Sequence, residues 1–293
     1  MNLKISVFFC CYLFAAAFAF ATQEEKQAIT DESFGGAQQF EGFNLQGFTD
    51  RGEKAWDVNG DTADVSGNVI RISNVVANSY EDEKVNLTAK VGMINKDSGN
   101  IHLEDDVVIT SQIGAILTTD SLDWERNNDL VKTPDPVKIT HEKMVTTGTG
   151  MVAHPNLKTA QLNEDVTVNM EDDSEPSAPK KVVITCDGPL ELDQAKNIAI
   201  FNEHVVAIQD GGRELHADMV ELYFDPQTKK IQRMICIGNV VVVQGENKSY
   251  SDKAVYSGAD QKITLSGRPK LIMVTQDKGG LDAFTPDNND SSK

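Results

Sequence analysis

The chain has 293 residues, 27 of them basic and 45 acidic, for a formal net charge of −18. That length holds one large domain or two ordinary ones, and that charge argues against a nucleic-acid ligand, whose phosphates are met by clustered Lys and Arg. Aromatic residues make up only 6%. Val, Ile, Thr and Gly are abundant and no long helical period is present, so an all-β protein is expected.

At the N-terminus Lys4 precedes an apolar run from Ile5 to Phe20, and Ala19-Phe20-Ala21 precedes the polar Thr22-Gln23-Glu24-Glu25. This pattern predicts an export signal over 1–21, cleaved after Ala21. The run is shorter than the roughly 20 apolar residues that span a bilayer, with a retained inner-membrane anchor left open as the alternative. Cys10 and Cys11 follow Phe8-Phe9 rather than small residues, which argues against a lipid-anchored cysteine. Removal of the signal would leave Cys186 and Cys236 in an oxidising compartment, where a disulfide is permitted but not implied. Both fall in predicted strands and read as small buried hydrophobes. Residues 22–39 are polar, contain Gly35-Gly36 and are expected to form a flexible tether.

The folded part is expected to begin near Phe40. Phe43, Leu45 and Phe48 lead into a turn at Thr49-Asp50-Arg51-Gly52 and then a second strand from Lys54 to Val58, a hairpin with one apolar face. A further pair of strands is predicted over 62–72 and 75–80.

From Leu87 onward a repeat is countable. Short polar corners at Asp105-Asp106, Asp135-Pro136, Glu164-Asp165, Glu203-His204, Gly238-Asn239 and Pro269-Lys270 are each followed by an apolar anchor: Val107, Val137, Val166, Val205, Val240 and Leu271. The intervals are 30, 29, 39, 35 and 31 residues. The long one contains the acidic, Pro- and Ser-bearing stretch 171–180, which reads as a linker. Two positions beyond each anchor lie Ile109, Ile139, Val168, Ala207, Val242 and Met273, on the same strand face. Four positions before it the same face receives Leu103, Leu162, Phe201 and Cys236, with Thr133 and Gly267 as exceptions.

The unit is clearest at Leu215 to Val243, two strands around a turn at Asp225-Pro226-Gln227-Thr228, with Met234, Cys236, Val240 and Val242 inward. In its first strand Leu215 and Ala217 share one parity while Val220, Leu222 and Phe224 share the other, which predicts a bend or bulge near Met219. A unit of about 30 residues with two strands cannot bury its own apolar face, so units must stack. The fold expected is an elongated antiparallel sandwich or jelly roll whose terminal strands leave open edges.

No catalytic motif is present: there is no GxSxG, HExxH, phosphate loop or dinucleotide fingerprint, and His102, His141, His154, His204 and His216 are scattered. Acidic pairs recur at the corners and are explained by turn chemistry. Asp120, Asp187, Asp218 and Asp252 recur about a unit apart, too sparsely for a calcium-binding repeat. The expectation is no enzyme, no metal and no cofactor.

Residues Ile184 to Met273, with the L-x-A-D opening at Leu215 to Asp218 and Gly238-Asn239-Val240, resemble the OstA-like periplasmic component of the lipopolysaccharide-transport bridge, LptA. Phe40 to Met170, with Phe48 to Val58 at its start, is similar to the partner family, LptC. The resemblance implies a β-jelly-roll, or β-taco, over 40–170 and another over 181–275, with 276–293 a disordered tail. It implies a periplasmic, lipopolysaccharide-binding bridge component. Its partners would be the glycolipid, other bridge proteins joined by edge-strand pairing, and an inner-membrane ABC transporter complex. The inward row then becomes a lipid-groove lining: Leu103, Val107, Ile109, Val137, Ile139, Leu162, Val166, Val168, Phe201, Val205, Met234, Val240, Val242, Leu271 and Met273. The alternative is an extracytoplasmic structural or adhesive β-solenoid with a solid core and no lipid.

Overall fold

A computed structural model describes residues 38–49, 51–80, 84–172, 180–228, 230–260 and 262–274. The expected export signal, most of the tether, residues 173–179 of the linker and the C-terminal tail lie outside the described residues.

The chain forms β1 (Gln38–Phe48), β2 (Lys54–Ser66), β3 (Val69–Ser79), β4 (Val85–Asn95), β5 (Ile101–Ser111), β6 (Ile116–Glu125), β7 (Leu130–His141), β8 (Met144–His154) and β9 (Thr159–Asp172). It continues with β10 (Lys180–Cys186), β11 (Leu190–Asp193), β12 (Ile198–Gln209), β13 (Arg213–Phe224), β14 (Ile231–Gln244), β15 (Asn247–Ser257), β16 (Lys262–Ser266) and β17 (Lys270–Ile272). One turn of 3₁₀ helix at Arg126–Asn128 interrupts them. Apart from β10 with β11 and β16 with β17, each strand pairs antiparallel with the next, in a single 17-stranded sheet. β10 and β11 lie end to end between β9 and β12, and β16 and β17 lie end to end on β15. The strands on either side of the linker pair directly, Lys180 with Asp172, so the sheet is continuous from β9 to β10.

Most strands change direction midway, at the polar pairs identified as corners. Asp105, Asp106, Asp165, Glu203, His204 and Asn239 have left-handed φ between 46° and 63°, as does Arg268 after Gly267. Left-handed backbone costs an L-residue about 1–2 kcal/mol, least for Gly, Asn and Asp, which explains the residues chosen. The sheet register shifts at the same places, between Glu104 and Val107, Asn202 and Val205, and Ile237 and Val240. The predicted irregularity near Met219 is one of them, a shift between His216 and Met219.

Neighbouring corners are tied side chain to side chain. Asn74 donates to Asp61 at 2.7 Å, Lys90 pairs with Asp106 at 2.5 Å and Ser121 donates to Asp135 at 2.5 Å. His204 meets Asp187 at 2.7 Å, and Asn239 donates to both Asp218 oxygens at 3.2 and 3.0 Å. The Asp of L-x-A-D is thus a corner residue, lying over Gly238 of the next strand, where an added Cβ would collide with its carboxylate.

Corners divide the sheet into two flanks, one carrying Leu103 and the other Ile109, whose apolar faces meet. An enclosed space of about 50 Å³ is lined by Ile72, Leu103 and Trp124 from one flank and Val75, Ala77 and Leu87 from the other. Side chains on both sides of a corner are buried, as with Leu103, Val107 and Ile109 on β5.

Three expectations shift. The strand read over 62–72 is two strands, because Gly67 at φ 55° makes a hairpin turn and residues 62–66 pair with 69–73. The break between Ile72 and Val75 is a corner at Asn74 inside β3. The last corner is Gly267-Arg268 rather than Pro269-Lys270, since those are the residues with positive φ. In each case a turn and a corner use the same residue types, so composition cannot separate them.

The N-terminal hairpin forms as expected, β1 on β2, and is secured by a buried carboxylate. Asp57, 3% exposed, accepts hydrogen bonds from Asn78 and Tyr80, each at 2.8 Å, and pairs with Lys54. Burial pushes this carboxyl up, and the bonds from Asn78, Lys54 and Tyr80 outweigh it, leaving the group below the usual carboxylate range.

Two outcomes are expected. Gly238→Ala should lower stability by about 1 kcal/mol or more. In an Asp218→Ala background the loss should be smaller, because the collision is gone and only the φ cost remains, as measured by urea unfolding. Asp57→Ala should cost about 1–3 kcal/mol at neutral pH by leaving its donors unpaired. The depressed carboxyl stabilises the fold above its unfolded value of about 4, and that contribution disappears as pH falls through the lower folded value. The gap between wild type and Asp57→Asn should therefore be constant above about pH 5 and close below about pH 4.

Candidate functional site

The interior is not uniform along the sheet. From β5 to β9 it is solid: Val107, Ile109, Leu117, Val131, Ile139, Met151, Leu162, Val166 and Val168 are each at most 1% exposed. Beyond β10 the flanks leave a solvent-open apolar groove of about 340 Å³, at the lower end of the roughly 300–1,000 Å³ typical of small-ligand pockets.

Val182 and Ile184 of β10, Val205 and Ala207 of β12, Leu215 of β13 and Val242 of β14 supply one wall. Phe201, Val220, Leu222, Ile231, Met234 and Ile263 supply the other. These residues converge because strand alternation resumes on each side of a corner, pointing Ala207 and Val242 inward from one flank and Phe201 and Met234 from the other. Gln209, Arg213, Glu214 and Gln244 form a polar rim at the strand ends.

Of the residues expected to line a groove, Phe201, Val205, Met234 and Val242 do so. Leu103, Val107, Ile109, Val137, Ile139, Leu162, Val166 and Val168 are buried in the solid part, and Val240 is buried beside its corner. Leu271 on β17 and Met273 just after it face solvent, 51% and 37% exposed, because no described strand covers that edge. The anchor rule missed Val182, Ile184, Leu215, Val220, Leu222, Ile231 and Ile263, most of them on strands between anchors. The parity switch at Met219, applied to β13, would have found Val220 and Leu222.

The ionisable groups nearby do not build a reactive centre. Cys236 lies buried on β14 and Cys186 on β10, both as free thiols. Burial pushes Cys186 up to about 11 and Cys236 up to about 12, so both are protonated at neutral pH and act as packing groups. His204 and His216 lie on adjacent strands with separate partners, Asp187 at 2.7 Å and Glu214 at 3.3 Å. The hydrogen bond and charge of Asp187 hold the His204 imidazole above its ordinary value. On the outer side of the corners a shallow hollow of about 570 Å³, lined by Asp106, Val107, Asp120, Val137, Lys138, Thr147 and Asp165 among others, is of mixed polarity and open to water.

Residues 5–171 match the family described as lipopolysaccharide-assembly, LptC-related, more than half of the chain. Residues 184–283 match the family of LptA and the LptD N-terminal domain, lipopolysaccharide-transport proteins. No curated protein matches the chain. The solid interior falls in the first segment and the groove in the second. A single antiparallel sheet and these two matches in tandem place the chain in the LptC-related lipopolysaccharide-assembly family, with an LptA-like segment continuing the same sheet.

Proposed function

We propose that the chain is a periplasmic segment of the bridge that carries lipopolysaccharide from the inner to the outer membrane, holding acyl chains in the apolar groove. The observation that carries this reading is the groove itself, an open apolar trough within the segment that matches the LptA family. Burial of methylenes contributes roughly 0.8 kcal/mol each, so a few turns of an acyl chain supply affinity without a charged contact. A protein of net charge −18 has reason to hold an anionic glycolipid by its tails, leaving sugar and phosphate in water. No enzyme chemistry and no cofactor enter this function.

Assembly follows from the two sheet ends. β1 exposes Phe40, Leu45 and Phe48 at one end, and Ile263, Leu271 and Ile272 are exposed at the other. Unpaired edges flanked by apolar side chains favour pairing with a strand of another chain. On this reading the partners are other bridge proteins and an inner-membrane ABC transporter complex, with one jelly roll over 40–170 and another over 181–275. No helix among the described residues is long and apolar enough to cross a membrane. Export rests on the N-terminal segment, cleaved or retained as an anchor. The solid interior of β5–β9 favours a second reading for that half, a load-bearing solenoid.

The test is Val242→Asp, which sets a carboxylate on the groove wall. Lipopolysaccharide binding by the purified protein should fall by about tenfold or more, since an unpaired charge resists burial, while thermal unfolding shows the fold retained. Unchanged binding by a folded variant would overturn the proposal.

A further inference from the structure

We propose that the outer face of the flank bearing Ile109 is a self-association surface, on which two copies of this chain pack sheet to sheet about a twofold axis running along the strands between β9 and β10. This surface lies on the opposite side of the sheet from the apolar interior and uses neither sheet edge. The inference therefore goes beyond the lipid-carrying reading and does not depend on it.

Across β6–β14 this flank turns two rows of side chains outward, in register from strand to strand. One runs from Thr118 through Lys138, Thr147, Thr167 and Thr185 to Val241. The other runs from Ile116 through Val145, Val183 and Ile208 to Val243. Each row crosses eight rungs, and of its sixteen residues the face has only Lys138 and Glu214 with a full charge. On the other flank a single outward row across the same rungs holds four, Asp123, Lys132, Glu191 and Glu221. Strand alternation fixes which side chains point outward but not their polarity, so in a chain of net charge −18 this bare face is a distinct feature. Ile116 and Ile208 on it are 38% and 47% exposed.

The two charges identify the occupant as a second copy. Lys138 lies on β7 and Glu214 on β13, each on the third rung from the boundary between β9 and β10. A twofold axis along the strands at that boundary sets β7 of one copy over β13 of the other. Lys138 then faces His216 of the second copy, whose ring lies 3.3 Å from the Glu214 carboxylate, and the opposite charges meet twice. An axis running across the strands would instead set Lys138 near Lys138 and Glu214 near Glu214, a like-charge arrangement that disfavours it. Eight rungs at about 4.8 Å by five residues at about 3.3 Å give about 630 Å² on each copy. The total of about 1,300 Å² falls within the roughly 1,200–2,000 Å² of stable interfaces. An anionic membrane surface does not fit, because the net charge of −18 opposes it. In the pair Thr167 and Thr185 sit beside the axis, each facing the other across sheets about 10 Å apart. Both copies keep β1 and β16–β17 free and run antiparallel to each other.

Interfaces of this size reach micromolar affinity or better, so sedimentation velocity of the full chain at tens of micromolar should show a species of about twice 32.1 kDa. Thr167→Arg should weaken the pair about tenfold or more, because the two introduced charges meet near the axis. Lys138→Glu should also weaken it, and Lys138→Glu combined with Glu214→Lys should restore it. Lys138 is exposed, so this swap tests the pair even where Thr167→Arg disturbs the fold, which thermal unfolding reports.

Oxidative cross-linking locates the axis. Thr167→Cys should give a covalent dimer that the unsubstituted chain does not, whereas Thr118→Cys, about 34 Å from its counterpart across seven rungs, should not. A chain that stays monomeric would overturn the proposal. So would a dimer indifferent to both Thr167→Arg and Lys138→Glu, the result expected of end-to-end pairing through the sheet edges, or equal cross-linking from the two cysteine variants. Lipopolysaccharide binding by folded Thr167→Arg should match that of the unsubstituted chain. Failure of that chain to bind lipopolysaccharide would count against lipid carriage alone and leave the pair standing.

Discussion

The fold depends on a left-handed corner repeated strand after strand. A single sheet of this length has two faces and no second sheet to cover either. Bending each strand at one point brings the two halves of one face together, so the sheet supplies its own partner. The bend demands backbone that most residues resist, and the chain places Asp, Asn, Gly, Glu or His there. Ties such as Asn239 to Asp218 and Lys90 to Asp106 keep neighbouring bends aligned. This accounts for the acidic residues that recur through the sequence at the corners.

Once the flanks face each other, side-chain volume decides what lies between them. Isoleucine and leucine opposite leucine and methionine close the interior in β5–β9. Alanine and valine opposite methionine and isoleucine leave it open from β10 onward. One architecture therefore yields a beam and a trough without any change in topology. The junction between the two family segments is an ordinary strand pairing, β9 with β10 and β11. The joint is intramolecular, and among the described residues β1 and β16–β17 each leave an edge unpaired.

Charge is segregated in keeping with that division. Acidic side chains occupy the corners on the outside, the interior is apolar, and the buried Asp57 is held by three donors near the first strand pair. The two thiols that an oxidising compartment would expose to pairing are buried on different strands and carry protons at neutral pH.

The periodic anchors and their partners two residues on were legible in the sequence, because strand alternation is local and the corner residues are chemically distinctive. So were the all-β class, the family resemblance, and the irregularity near Met219, which a parity switch betrays without reference to any other strand. The distinction between a corner and a hairpin turn was not legible: Gly67 and Asn74 belong to the same residue classes, and only pairing shows that one reverses the chain and the other bends it. Nor could the sequence separate buried Ile139 from groove-lining Val242, which satisfy the same rule. That difference depends on which side chains stand opposite across the interior, a relation between residues far apart in the chain, and the tertiary structure alone decides it.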